Sequence, residues 1–260
     1  MKAACLALAL LLLVSCKSKT PPPVKPEVTG EATETLNLTP DNLMEGSLYL
    51  PDNNMEFTEV VQGRDSILAS YIKVEIIDRA LFEKMQPTAV NFWEEDAKGA
   101  IKNDTVLTLK TRDSILTFID DTTDTEMHRT FTYEGRLPVI NQFVVLGTYY
   151  EDYGYMLIDM NTGNTTGTYQ AFPLISPDKK HIVSLYANIY SVESGELGIE
   201  KIENGKIIPL LNASFNNWMP QETFFGADGY LYASVSHPSQ YLRADEGVKD
   251  VRLYLRITIL

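Results

Sequence analysis

Beyond residue 16 this 260-residue chain has no cysteine; its two, Cys5 and Cys16, lie at the start. The remainder therefore forms no disulfide, holds no thiolate-bound metal and offers no cysteine nucleophile. Histidine is almost as scarce, with only His128, His181 and His237, widely spaced. No G-x-S-x-G elbow marks a serine nucleophile and no H-E-x-x-H segment marks zinc, so neither a hydrolytic triad nor a zinc centre has a sequence signature. Basic residues are outnumbered, 22 Lys and Arg against 35 Asp and Glu, for a formal net charge of −13. That balance argues against nucleic-acid binding, which needs clustered cations.

What is present begins at the N-terminus. Residues 3–14 form an unbroken apolar run behind one basic residue, Lys2. The run is too short to span a bilayer and suits the core of an export signal. Its end, Leu13-Val14-Ser15-Cys16, resembles the lipobox of bacterial lipoproteins, in which a peptidase cuts before the cysteine and its thiol carries diacylglycerol. The resemblance implies a signal peptide over 1–15 and a mature chain that starts at a lipid-bearing Cys16, anchored by its acyl (palmitate) chains. The following stretch, to about residue 37, is rich in Pro, Lys, Glu and Thr, so 16–38 reads as the lipidated cysteine with a disordered tether. Residues 39–260 read as a single β-rich domain.

Within that domain, apolar β-branched runs alternate with turn residues. NDTVLTLKTRDSILTFIDD (103–121) has the pattern of a hairpin. Residues 142–169 hold three runs, broken at Glu151–Gly154 and Asn161–Gly163, where glycine and asparagine supply the positive φ of tight turns. The C-terminal VRLYLRITIL reads as a strong alternating strand that ties Leu260 into a sheet. One segment departs from this pattern. RALFEKMQ, with Asp78 as N-cap, Ile77 and Phe82 as a hydrophobic staple and Pro87 as terminator, predicts a short helix.

The second half repeats itself. FPLISPDKKHIVSLYA (172–187) and WMPQETFFGADGYLYASVS (218–236) both run proline, apolar residues, an Asp-containing turn, then a strand; YMLIDMNTG and GIEKIENG supply matching outer hairpins. This order resembles the blade repeat of β-propellers of the TolB and WD-repeat kind. It implies a mainly β, propeller-like meander of four-stranded blades, about five at a period near 40 residues, with the short helix in the N-terminal half. Lys179 stands where that repeat has glycine, Val-Ile-Asn-Gln replaces the Asp turn after Pro138, and a β-sandwich is the alternative architecture. RDSIL recurs at 64–68 and 112–116, near the similar NDTVL at 103–107, and these read as strand starts after a polar turn. YEGRLPVINQFVV, YYEDYGYMLID, FPLISPDKKHIVS and NNWMP, in that order, resemble uncharacterised lipoproteins of Bacteroidetes-type bacteria. That resemblance implies an outer-membrane lipoprotein and no particular chemistry. Lys17-Ser18-Lys19 is basic where surface-exported members carry acidic residues, so the implied attachment faces the periplasm.

The densest candidate surface is aromatic: Tyr149, Tyr150, Tyr153 and Tyr155, with Trp218 and Tyr241 farther along. Flat amphipathic rings suit a sugar, peptide or protein partner, while cross-strand packing within a sheet is the alternative use. Alternation sends Tyr149 and Tyr150 to opposite faces of any strand that contains both. Asp120, Asp121, Asp124 and Glu126 offer oxygen ligands for calcium, but their spacing is not that of an EF-hand and their setting is that of a hairpin tip. Asp159–Gly163 mimics the start of a calcium loop and reads as a turn, and Glu94-Glu95-Asp96 as a solvated charge run. No metal or cofactor is expected. The expectation is a lipid-anchored envelope protein whose β-domain binds a protein or glycan partner without catalytic residues. The alternative is a hydrolase acting on envelope polysaccharide through paired carboxylates such as Glu151 and Asp152.

Overall fold

A computed structural model of the chain describes residues 38–39, 42–60, 67–96, 98–189, 194–241 and 252–260. Cys16, the signal segment, the tether up to residue 37 and residues 64–66 of the first RDSIL lie outside the described residues. The N-terminal part of the domain gives β1 (Gly46–Pro51), β2 (Phe57–Val60), β3 (Ile72–Ile77) and helix α1 (Arg79–Met85). Sheet I follows as β4 (Ala100–Asn103), β5 (Val106–Lys110) and β6 (Ile115–Ile119). Sheet II is the meander β7 (Arg129–Leu137), β8 (Gln142–Tyr149), β9 (Tyr153–Asp159) and β10 (Thr165–Tyr169). Sheet III runs β11 (Leu174–Ile175), β12 (His181–Asn188), β13 (Ser194–Glu203) and β14 (Lys206–Phe215), and is extended by β1 and β2. Sheet IV comprises β15 (Met219–Phe225), β16 (Leu231–Ser236) and β17 (Leu253–Ile259), with β3 as its fourth strand; the short helix α2 (Pro238–Tyr241) follows β16.

The molecule is thus mainly β, in antiparallel sheets of three, four, six and four strands, none closed on itself. Four sheets stand among the described residues where the repeat implied about five four-stranded units. Consecutive sheets share their cores. Leu107 and Leu109 of sheet I pack with Phe131, Phe143, Val145 and Ile158 on one face of sheet II. The opposite face of sheet II, with Leu137, Val144 and Leu157, packs with Ile182 of sheet III. The other face of sheet III, with Val183, Leu185, Leu197, Ile199 and Leu211, meets Leu231, Ala233, Val235 and Leu255 of sheet IV. Each fully buried aliphatic side chain is worth about 1.5–3 kcal/mol, so these three layers hold the sheets together.

Local chemistry explains the joints. Asn141, Lys179 and Gly229 have φ of 58°, 62° and 90°, and each stands just before β8, β12 or β16. The three units therefore share one left-handed turn, although only one of them supplies the glycine that backbone favours. In two of them an aspartate organises the turn. Asp178 Oδ1 accepts from Ser176 Oγ at 2.6 Å and from the Lys180 N–H at 3.1 Å; Asp228 accepts from the Tyr232 hydroxyl at 2.8 Å. Gly163 takes a φ of 81° as expected, but Gly154 lies inside β9 opposite Gly147, and the turn there falls on residues 150–152.

The expected helix forms, capped by Asp78, whose carboxylate accepts the Leu81 N–H at 2.7 Å. Phe82 is its buried residue, and Pro87 lies in the 3-10 turn that follows. The C-terminal strand is also as expected: β17 pairs with β16 on one side and β3 on the other, and the Leu260 N–H donates to Tyr71 O at 2.8 Å. At 103–107 and 112–116 the similar segments open β5 and β6, whereas Ile67–Ser70 of the first RDSIL region is a 3-10 turn.

Candidate functional site

Sheet III has two unlike faces, and the alternation of its strands makes them so. Residues 183, 185, 197, 199, 211 and 213 point into the core shared with sheet IV. The residues between them point the other way, and the register aligns Ser184 with Gly198, Gly198 with Asn212, and Asn212 with Tyr49. This second face divides along its length. At one end Ile182, Ile202 and Ile207 close against sheet II; at the other, polar residues line a groove of about 520 Å³. Thr168, Tyr169 and Gln170, at the end of sheet II, form its opposite wall. A second depression of about 320 Å³ adjoins it, sharing Gln170, Tyr186 and Asn188, and is bounded by Glu151, Asp152, Tyr153 and Tyr241.

The chemistry inside is that of neutral donors and acceptors with carboxylates among them. The Tyr169 hydroxyl donates to the Glu200 carboxyl. Burial pushes the Glu200 carboxyl above its ordinary value, and burial next to Glu200 raises the Tyr169 phenol. Tyr186 is pushed up to about 12, first by burial and then by Glu196. Both phenols therefore stay protonated at neutral pH and remain hydrogen-bond donors. Glu196 accepts from Ser194 Oγ at 2.6 Å. Ser184, only 5% exposed on the groove floor, has a hydroxyl with no hydrogen-bond partner. Buried polar atoms are almost always paired, and this oxygen, itself buried beneath the groove floor, is an exception.

The aromatic cluster expected from the sequence does not stay together. Tyr149 (38% exposed) makes an edge contact with Phe131 on the sheet I side of sheet II, and its ring folds back over Gly147, where an added Cβ would lie 2.7 Å from the phenol oxygen. Tyr150 (53% exposed) lies just beyond β8, which ends at Tyr149, so the two tyrosines do not alternate across one strand. Tyr153 turns to the groove side and lines the smaller depression together with Tyr241. Trp218 departs furthest. It is fully buried, stacked on Phe215 at 4.4 Å, and its Nε1–H donates to Leu43 O at 2.9 Å, so it is a core residue out of reach of a partner. Tyr155 packs edge-on against Phe172 in the core between sheets II and III, so two of the six tyrosine and tryptophan candidates share a site. The other groove residues, Tyr49, Ser184, Tyr186, Gly198, Glu200 and Asn212, come from four strands, β1, β12, β13 and β14. The signal for them is the polar half of the alternation in HIVSLYA, LGIE and LLNAS, which points to one place only once the register is known.

Part of each acidic segment is engaged by the protein itself. Asp120 accepts from Lys102 Nζ at 2.6 Å and from the Phe131 N–H at 2.9 Å, and Asp121 from Thr123 at 2.6 Å. Asp159 accepts from the Asn161 and Thr162 N–H groups, as a turn aspartate does. Glu94 and Asp96 pair with Arg136 at 2.9 and 3.5 Å, so part of the expected solvated run pins its segment to β7. Among the described residues no three His, Cys, Asp or Glu side chains converge as metal ligands. Glu151 and Asp152, the carboxylates of the hydrolase alternative, are exposed at the groove edge. Ser239 Oγ lies 2.8 Å from His237 Nδ1, but that nitrogen also takes the Ser239 N–H at 3.2 Å, which makes the ring a local cap. Comparison with protein families, with characterised proteins and with solved structures finds no match for this chain.

Proposed function

We propose that the protein is a lipid-anchored component of the cell envelope whose β-domain binds a glycan in the groove between sheets II and III, without catalysis. The observation that carries the reading is the composition of that groove. Tyr49, Tyr153, Tyr186 and Tyr241 offer ring faces and phenols, and Gln170, Asn188 and Asn212 offer side-chain amides. A concave site with a few convergent polar groups suits a small polar ligand better than a broad protein surface does. In this reading Cys16 carries the lipid and the basic start of the tether keeps the domain on the periplasmic side of the outer membrane. Cys16→Ala would then release the protein from the membrane fraction. The stack of sheets in chain order, with the same left-handed turn before β8, β12 and β16, supports an open propeller-like arrangement over a sandwich.

The test is titration of the full-length chain in detergent with soluble oligosaccharides prepared from the cell envelope. Saturable binding that weakens at least tenfold in Tyr186→Ala supports the reading; no binding by any fraction, or binding indifferent to Tyr186, refutes it. One observation favours the hydrolase alternative, namely the raised pKa of Glu200 in a groove. Its nearest acidic neighbour on that face, Glu196, is four residues along the same strand, about 13 Å between Cα atoms at a rise of about 3.3 Å per residue. Release of new reducing ends from the bound oligosaccharide would convert the binder into an enzyme.

A further inference from the structure

The groove and the depression beside it carry charge of one sign. Glu151, Asp152, Glu196 and Glu200 line them, and no Lys, Arg or His among the described residues does. None of these four carboxylates forms an ion pair among the described residues, whereas Glu75, Glu94, Asp120 and Glu222 each meet a Lys or Arg within 3.0 Å. The four stand on two walls: Glu196 and Glu200 on β13, Glu151 and Asp152 in the turn between β8 and β9. Tyrosine rings stand beside them. Tyr186 is directly opposite Glu196 across β12 and β13, which sets their Cβ atoms about 5 Å apart. Its phenol is pushed up to about 12, by burial first and then by Glu196, Tyr153 and Asp152, so charge from both walls reaches one ring. Glu200 contributes least, since burial raises its carboxyl and the Tyr169 hydroxyl donates to it.

We infer that the groove takes an amino-sugar oligosaccharide with free amines, whose ammonium groups are held beside Tyr186 by Glu196 on one wall and Asp152 on the other. This rests on the glycan reading above and names the class of sugar. An ammonium has three donors and no acceptor, so it matches carboxylates and the face of a tyrosine ring. Glu196 accepts from Ser194 Oγ and Asp152 from the Tyr153 N–H, and an ionised carboxylate accepts further bonds beyond one. A bare metal ion is a poorer fit, because no three His, Cys, Asp or Glu side chains converge among the described residues. The tyrosine phenols and the amides of Gln170, Asn188 and Asn212 are left for the sugar hydroxyls. Uronates and phosphorylated sugars bring like charge to the same walls with no cation to offset it, and are rejected. N-acetylation of the amine removes its charge and with it the attraction to both walls.

The experiment is calorimetric titration of the full-length chain in detergent at about pH 6, where a primary amine carries its proton. The probes are chitosan oligosaccharides, chitin oligosaccharides of the same length, oligogalacturonate and a short oligolysine peptide. Chitosan oligosaccharides should bind about tenfold or more tighter than their chitin counterparts, the more weakly as salt is raised, and oligogalacturonate should not bind. Glu196→Gln and Asp152→Asn should each weaken chitosan binding about five- to tenfold, the equivalent of one lost charge-assisted contact at a half-open site. Both keep an oxygen for the Ser194 hydroxyl and the Tyr153 N–H, so both should melt with the parent. Glu126→Gln is the control: it makes the same change in net charge at an exposed residue that lines neither depression, and should leave affinity within about twofold. Chitin binding as tightly as chitosan, or groove variants that behave like Glu126→Gln, overturns the charge selection and leaves the glycan reading standing. Oligolysine binding as tightly as chitosan overturns the assignment to a sugar in favour of a basic peptide. If the probe sugars fail while oligosaccharides from the cell envelope bind, the amino-sugar assignment alone falls; if neither binds, the glycan reading falls with it.

Discussion

Sheets III and IV are built from the same unit and share one core, yet their outer faces differ. Each begins with a left-handed turn residue, Lys179 or Gly229, and a strand whose inward residues, Val183 and Leu185 or Ala233 and Val235, meet between the sheets. On the outer face of sheet IV, Phe82 of α1 contacts Phe224 at 5.2 Å and Tyr254 at 4.9 Å, and Phe224 stacks on Tyr232. On the outer face of sheet III α2 reaches only the edge, through Tyr241, and the corresponding positions, Ser184, Tyr186, Gly198 and Asn212, line a groove that no helix among the described residues fills. A repeated unit therefore dictates the inner layer, and an inserted helix decides which outer face becomes core. The face left open is where the polar alternation survives.

The strongest way to break the comparison is to remove what ties sheet IV together. β17 joins β3 to the rest of the sheet, and Leu255 and Ile257 are almost wholly buried. Deleting residues 253–260 should cost as much as the whole domain's stability, on the order of 5–15 kcal/mol. The expected outcome is loss of a cooperative thermal transition by circular dichroism; a truncated chain that still melts cooperatively contradicts the role given to β17. Next in size is the cover itself. Phe82→Ala should cost about 3–5 kcal/mol in urea denaturation, as for other buried aromatics. Tyr186→Ala, on the uncovered face of sheet III, should cost about 1–2 kcal/mol. Equal costs would mean that sheet III is as covered as sheet IV.

The same contrast explains what was legible in the sequence. Strands, the capped helix and the turn at Gly163 depend on neighbours in the chain, and their signals are local. Gly154 misled because its position after Asp152 imitates a turn, while pairing with Gly147 across the hairpin absorbs it into β9. Trp218 misled because its large amphipathic ring suits a surface as well as a core, and only the fold brings Phe215 and the Leu43 carbonyl to it. The groove was the least legible feature. Its floor residues come from four strands whose alignment is set by register, and Ser184 and Ser234 are indistinguishable until α1 is seen to pack on sheet IV.

A smaller test sharpens the comparison at the turns. Gly229→Ala forces a methyl group into a φ of 90° and should cost about 1–2 kcal/mol by chemical denaturation. Lys179→Gly relieves left-handed strain of about 1 kcal/mol. It also removes the ammonium 5.3 Å from the Phe92 ring centroid, a contact worth about 0.5–1 kcal/mol. The net change should fall within about 0.5 kcal/mol of zero. A clear gain on Lys179→Gly would show that the contact with Phe92 adds nothing.

The smallest effect lies where the open face meets sheet II, at Glu200. Burial raises this carboxyl above its ordinary value of 4.5, so the folded chain holds the proton more tightly than the unfolded chain does. The stability linked to that proton is fully present below the unfolded value and is lost as pH rises through the higher, folded one. Glu200→Gln keeps an oxygen to accept from the Tyr169 hydroxyl and removes the titration. The variant and the parent should therefore melt at the same temperature below pH 4, and the variant should melt higher as pH rises toward 8. Nothing equivalent arises among the described residues of sheet IV, whose buried outward residues on β16 are Tyr232, Ser234 and Ser236, none of them an acid. A pH-independent difference between variant and parent would mean that Glu200 is solvated in the groove, and would move it from the wall of the site to its open surface.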